Sequence, residues 1–241
     1  MPRFIKSAIF GVVAAALSAS AALAGSTTVS VAGDTNLNLA GQPAGVPCCG
    51  GDSSPGQSPV LAPLAVTGGE VFTFSASGVT DGAGTGPTGP DGAYTFGMAD
   101  YNLGVAPAQG VGVLGLVGVF LDGGTPSAGT EPGSLDFSGG LNFASLSPGL
   151  AQMFWIGDGL TGTGTGASQL FTATTGAERL YLGTVDGFQW SNNTGFYDVT
   201  INFSGGVPEP ATWALMLLGV GGAGLALRAS KRRASAILSA T

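Results

Sequence analysis

The side chains of this chain that offer chemistry are almost all oxygen donors. Histidine is absent, and the two cysteines, Cys48 and Cys49, are adjacent. The first fact removes the commonest general base and the imidazole ligand of metal sites. Oxygen is concentrated in residues 176–195, where an apolar run ends in Asp186 and a loop carries Trp190, Asn192 and Asn193. Gly195 then releases the chain into F-Y-D-V-T-I-N-F. Aspartate and asparagine present the hard oxygens that calcium prefers, and calcium takes about 6–8 of them. Asp186, Asn192 and Asn193 supply three side chains at most, so carbonyls, water and another loop complete such a shell. Trp190 offers a ring for a sugar to stack on. A plainer reading uses the same residues: Asp-Gly and Asn-Asn-Thr-Gly form turns, and Trp190 covers the end of a sandwich. Both readings stand on the sequence. Asp158, in I-G-D-G-L, reads as a turn residue. Glycoside hydrolysis needs two carboxylates, and nothing in the sequence singles out a pair. Asn192-Asn193-Thr194 also fits the glycosylation acceptor pattern.

A second constellation lies near the end of the chain, at Pro208-Glu209-Pro210 with Trp213 and Ala214 behind it. Two prolines lack N–H donors and fix φ, so no helix extends upstream through Glu209. An extended, exposed segment of this kind can enter an enzyme cleft without unfolding anything. Residues 211–227 carry no charge and are followed by Arg228, Lys231, Arg232 and Arg233. These seventeen residues rise about 25 Å as a helix, at the short end of what crosses a hydrocarbon core of about 30 Å. The basic cluster, 228–233, stays on the cytoplasmic side and Trp213 sits at the opposite interface. Residues 234–241 form a cytoplasmic tail. One span is expected, body outside and tail inside.

The chain begins with the matching export signal. Arg3 and Lys6 form a basic start, residues 8–17 an apolar stretch, and Ala22-Leu23-Ala24 a small-x-small cleavage site. Residues 1–24 are therefore a signal peptide, and the mature protein begins at Gly25. The body, 25–207, is long enough for one domain with a sizeable core. It holds thirteen of the fourteen acidic residues and a single basic one, Arg179, for a net charge near −12. Such a surface repels nucleic acid and anionic lipid and attracts divalent cations. No nucleic-acid partner is expected, and the composition argues against the usual hydrolases.

Glycine is abundant, with 44 in the chain, and it punctuates short apolar runs. That pattern predicts many short strands and turns, an all-β body. Residues 26–32 alternate and are β-branched, a first strand. Residues 25–65 are Gly/Pro-rich for most of their length and hold both cysteines. Three states are open to these: a vicinal disulfide, pairing with another chain, or free thiols. A zinc finger is excluded for lack of further ligands. Residues 61–66 and 71–77 read as a strand pair around Thr67-Gly68-Gly69, with Phe72 and Phe74 on one face. A glycine-rich loop spans 78–92. Residues 111–121 read as one buried central strand. Further strands are expected at 135–137, 152–156, 170–174, 179–185 and 196–203. Eight to ten strands make a jelly-roll or Greek-key β-sandwich.

Two resemblances add to this reading. The last thirty residues resemble a PEP-CTERM sorting signal of the PEPxxWA variant: Pro-Glu-Pro, Trp-Ala, a glycine-bearing apolar helix and a basic end. This implies recognition, and cleavage near the motif, by an exosortase, an inner-membrane enzyme of exopolysaccharide-producing Gram-negative bacteria. The block 176–195, with L-V-G-V-F-L-D upstream, resembles calcium-dependent galactose-binding jelly-roll lectins of the PA-IL type. That resemblance implies calcium bridging protein and sugar hydroxyls, with Asp186, Asn192 and Asn193 as ligands. The spacing departs from those lectins by one residue between the aspartate and the asparagine pair. Residues 111–203 also resemble a module of other exported PEP-CTERM proteins, in G-V-F-L, F-x-I-G-D-G-L and L-G-T-x-D-G-F-x-W-x-N-N. The combined expectation is a non-enzymatic surface or matrix protein, tethered briefly to the inner membrane and binding extracellular polysaccharide through calcium. Two alternatives stand beside it, a purely structural matrix protein and, further off, a polysaccharide-active hydrolase.

Overall fold

The computed structural model describes residues 24–82, 84–96 and 98–204. The expected signal peptide up to residue 23, the Pro-Glu-Pro motif and the 211–227 span lie outside them. Among the described residues no helix is long and apolar enough to cross a membrane.

Two sheets carry the body. The larger has the order β1-β13-β3-β11-β7 and the smaller β2-β12-β6-β8. In the larger sheet, β1 (Ala24–Ala32), β13 (Thr194–Ser204) and β3 (Val71–Asp81) run antiparallel and in unbroken register. Next to β3 lies β11 (Leu170–Thr172), which pairs in parallel with β7 (Ser145–Leu146). The smaller sheet centres on β6 (Leu116–Leu121) and β12 (Arg179–Thr184), flanked by β8 (Met153–Trp155) and β2 (Val60–Leu61). Two short ribbons complete it, β4 (Thr95–Phe96) with β5 (Val111–Gly112) and β9 (Leu160–Gly162) with β10 (Thr165–Ser168).

Alternation decides which faces meet. Val29, Val31, Tyr197, Val199, Ile201, Phe72 and Phe74 all point inward and are buried. The residues between them, Ser26, Thr28, Ser30, Asp198, Asn202, Ser75 and Ser77, are exposed on the other face. Phenylalanines stitch the layers together. Phe72 meets Phe120 at 5.5 Å between centroids, Phe120 stacks on Phe154 at 5.1 Å, and Phe154 reaches Phe171 at 5.3 Å. Each such side chain contributes roughly 1.5–3 kcal/mol by leaving water. The all-β sandwich expected from the sequence is thus the observed architecture, with a mixed rather than purely antiparallel larger sheet.

Four local expectations fail. Residues 135–137 form no strand, only an isolated bridge between Asp136 and Gln109, and β3 runs on to Asp81, into the stretch expected as the loop 78–92. Residues 61–66 and 71–77 do not pair with each other. The first of them runs instead along β12, where the Ala62 amide donates to the Leu180 carbonyl at 2.9 Å and, beyond Pro63, which has no N–H to give, the Val66 amide reaches the Glu178 carbonyl at 3.4 Å. The chain enters the larger sheet only at β3. The turn between them is real, with the Glu70 amide donating to the Thr67 carbonyl at 3.0 Å. The apolar run 111–121 is buried throughout but is not one strand. Leu114 sits at φ +63° and splits it into β5 and β6. The bend is a turn closed by the Gly115 amide on the Gly112 carbonyl at 2.9 Å, and Gly115 leaves room for the Trp155 ring, which a Cβ there would meet at 2.3 Å.

Candidate functional site

The oxygen-rich loop lies at the end of β12 and is held by hydrogen bonds that the chain makes to itself. Asp186 is buried, and both of its carboxylate oxygens are occupied. One accepts the amides of Gly187 (2.6 Å) and Phe188 (3.3 Å), and the other accepts the Asn193 side-chain amide at 2.8 Å. A single 3-10 turn, Trp190–Asn192, bridges the two ends of this loop. Asn193 is buried, and its Oδ1 finds no donor. Gly82 packs against that atom so closely that a Cβ there would lie 2.0 Å away. Asn192 is exposed.

Sequence reasoning missed the residue that fixes this loop from outside. Asp52, 1 % exposed, accepts the amide of Trp190 at 2.8 Å and that of Ser191 at 3.1 Å. Its carboxylate therefore satisfies the open N-terminal donors of the 3-10 turn, and hydrogen bonds to an ionised acceptor are the strong ones. The Asn36 amide reaches the same carboxylate at 3.3 Å and Cys49 Sγ at 3.0 Å. Cys48 and Cys49 form a vicinal disulfide, the first of the three states open in the sequence, and no cysteine is free. The Pro/Gly-rich segment is thereby pinned beneath the 186–193 loop. A lone Asp in a polar, glycine-rich stretch carries no signal of burial, which explains the omission.

Trp190 does not serve as a sugar platform. Its ring is fully buried, and the indole N–H donates to the Thr184 carbonyl at 2.9 Å. Tyr101 packs edge-on against it at 6.3 Å, and the Tyr101 hydroxyl donates to the Gly187 carbonyl. Burial, then the charges of Asp186 and Asp52, push the Tyr101 phenol above its usual range. The exposed aromatic of this loop is instead Phe188, 62 % accessible. Arg179, the one basic residue of the body, is spent elsewhere, on the carbonyls of Asp122 and Gly124.

The fit to calcium is partial. Asp186 and Asn193 come together as expected, but as a hydrogen-bonded pair, and Asn192 faces solvent. Among the described residues no group of three or more His, Cys, Asp or Glu could hold a metal. The unpartnered Asn193 Oδ1 is the one feature a cation would answer. Asp158 behaves as the turn residue it was read to be, taking the amides of Leu160 and Gly164. Ala24, the last residue of the expected cleavage site, opens β1 and pairs with Ser204. Ala22, Pro208, Glu209, Pro210, Trp213 and Ala214 lie outside the described residues.

Residues 206–233 match the PEP-CTERM protein-sorting motif, a stretch that includes Pro208, Glu209, Pro210, Trp213 and Ala214. No curated protein matches the chain. Among solved structures it is similar to the N-terminal domain of EclA, described as a PllA-like lectin. The likeness has 15% identity and a TM-score of 0.34, and it covers 73% of this chain and 95% of that one. A likeness at that level carries no argument about what this chain binds.

Proposed function

We propose that this chain is an exported surface or extracellular-matrix protein, processed by an exosortase and performing no catalysis. The observation that carries the reading is the sorting motif at 206–233, placed behind an acidic all-β body. In this account residues 1–24 direct export and residues 211–227 hold the body at the inner membrane for a time. The basic cluster 228–233 then stays inside, and Pro208-Glu209-Pro210 is what the exosortase reads. The Glu209→Ala variant is expected to remain full-length in the membrane fraction, followed by immunoblot against the body. Normal processing of that variant would refute the sorting assignment.

A second reading gives the body a ligand, extracellular polysaccharide held through calcium, and one observation favours it. Asn193 Oδ1 is buried and unpartnered beside the Asp186 carboxylate. Asp186 and Asn193, with Asn192 from the solvent side, would hold the ion, and a bound ion would supply a positive bridge to sugar hydroxyls. The chain's own contribution is orientation: Asp52 and the Trp190 turn fix where those side chains lie. Calorimetry of the purified protein with calcium, then with galactosides or host exopolysaccharide, is expected to show heat in both titrations. Absence of heat in both leaves a purely structural matrix protein.

A further inference from the structure

Among the described residues β1 is an unpaired edge of the larger sheet, and its pattern is self-complementary. The Gly33 amide donates to the Gly195 carbonyl at 3.0 Å, one step beyond the Ala32–Phe196 pair. Backbone groups alternate in direction along a strand with the same period as side chains. The odd-numbered residues of β1 therefore bond to β13, while the N–H and C=O groups of Ser26, Thr28 and Ser30 face the open side; the Ala32 carbonyl is taken by the Thr35 amide at 3.2 Å and hydroxyl at 2.6 Å. The side chains of Ser26, Thr28 and Ser30 lie on the outer face, where Thr28 Oγ1 meets Thr200 Oγ1 at 3.2 Å. Read in order, these three residues are Ser, Thr, Ser. The series is the same in either direction about Thr28.

Natural sheets guard such an edge with lysine, proline, a bulge or a covering segment. This strand has no charge and no proline, and its pairing to β13 is unbroken over nine residues. In a body of net charge near −12, it is a neutral seam along which two copies can approach. Ala24 and Ser204, where the described residues end, pair at one end of the sheet, and Ser26 to Ser30 lies further along the strand. A two-fold axis demands a patch that complements itself, and β1 supplies one.

We propose that two copies of this chain pair antiparallel through β1, centred on Thr28. Ser26 then lies opposite the partner's Ser30 and Thr28 opposite the partner's Thr28. The main-chain bonds of this augmentation continue the sheet across both copies. Acidic bodies repel, so the pairing strengthens as salt screens them. This inference does not rest on the sorting assignment or on any ligand.

The test is cysteine trapping in the purified full-length chain, in detergent with a mild oxidant; the native cysteines are already paired. Opposed residues of a hydrogen-bonded pair lie about 5.5 Å apart at Cα, within disulfide reach. The Thr28→Cys variant is expected to give at least tenfold more covalent dimer than Ser26→Cys or Ser30→Cys alone. Each of those faces its own copy about 13 Å along the strand. Mixing Ser26→Cys with Ser30→Cys is expected to restore the dimer, and this second readout covers poor folding of Thr28→Cys. The proposal is overturned by no dimer in either arrangement. It is equally overturned by equal trapping at these sites and at exposed Ser168→Cys, by self-trapping of Ser30→Cys alone, or by capture of a different protein.

Discussion

Asp52 and Asp186 are both buried carboxylates without a cationic partner in contact, and each is stabilised by N–H donors from the same loop. Removing Asp52 strands the buried amides of Trp190 and the Asn36 side chain and frees that of Ser191, an exposed residue, and each stranded buried donor costs about 1–3 kcal/mol. The Asp52→Ala variant is therefore predicted to lose roughly 3 kcal/mol or more, read as a lower urea midpoint. Asp186→Ala should also destabilise the fold, with or without chelator, because three donors lose their acceptor. Asn192→Ala should leave the midpoint unchanged, since that side chain faces water. Equal midpoints for all three variants would contradict this account. Tyr197 carries the pH dependence. Its phenol lies within hydrogen-bonding distance of the Thr80 hydroxyl at 2.6 Å and of the carbonyls of Gly89 and Leu114 at 2.9 Å. Burial, opposed by the Thr80 hydrogen bond, pushes it up to about 12. A folded value above the ordinary one means the stabilisation is complete below about pH 10 and is lost as pH rises through the folded value. Tyr197→Phe should lower the midpoint at pH 8 but flatten its decline between pH 10 and 12. An unchanged alkaline slope would show that another group is responsible.

At the scale of the elements, the sequence was legible wherever burial leaves a period and illegible where partner choice depends on distant chain. The alternation of S-T-T-V-S-V-A marks β1, and F-Y-D-V-T-I-N-F marks β13. Neither indicates that the two are neighbours. The continuous apolar run at 111–121 announces burial, yet it hides the turn at Leu114, whose closing bond runs from Gly115 to Gly112. The 61–66 strand was misplaced because two apolar runs around a glycine turn look like a hairpin whichever strand each of them joins. For the oxygen-rich loop, the sequence supplied Asp186 and Asn193 but left Trp190 open between a sugar platform and a cover for the sandwich end, and left Asp52 out. Hydrogen bonds across more than a hundred residues leave no local pattern. Gly118 tests the central strand directly. A Cβ there would lie 2.8 Å from the Phe154 ring and 3.0 Å from Ile156. Gly118→Ala is predicted to cost about 1–3 kcal/mol through overpacking, and a neutral thermal melt would refute the tight contact between β6 and β8.

For the molecule as a whole, the placement of β13 has a kinetic consequence. The last strand of the body to be synthesised does not lie at a rim; it is inserted between the first strand and β3, so that Thr28 meets Thr200 across 172 residues. Pairings of such long range slow folding, because a large loop must close before any contact rewards it. The larger sheet cannot set while its final strand is still being made. The smaller sheet has all its strands once Thr184 is made, so the body acquires its two layers unevenly, and the sandwich closes only once the far end has arrived.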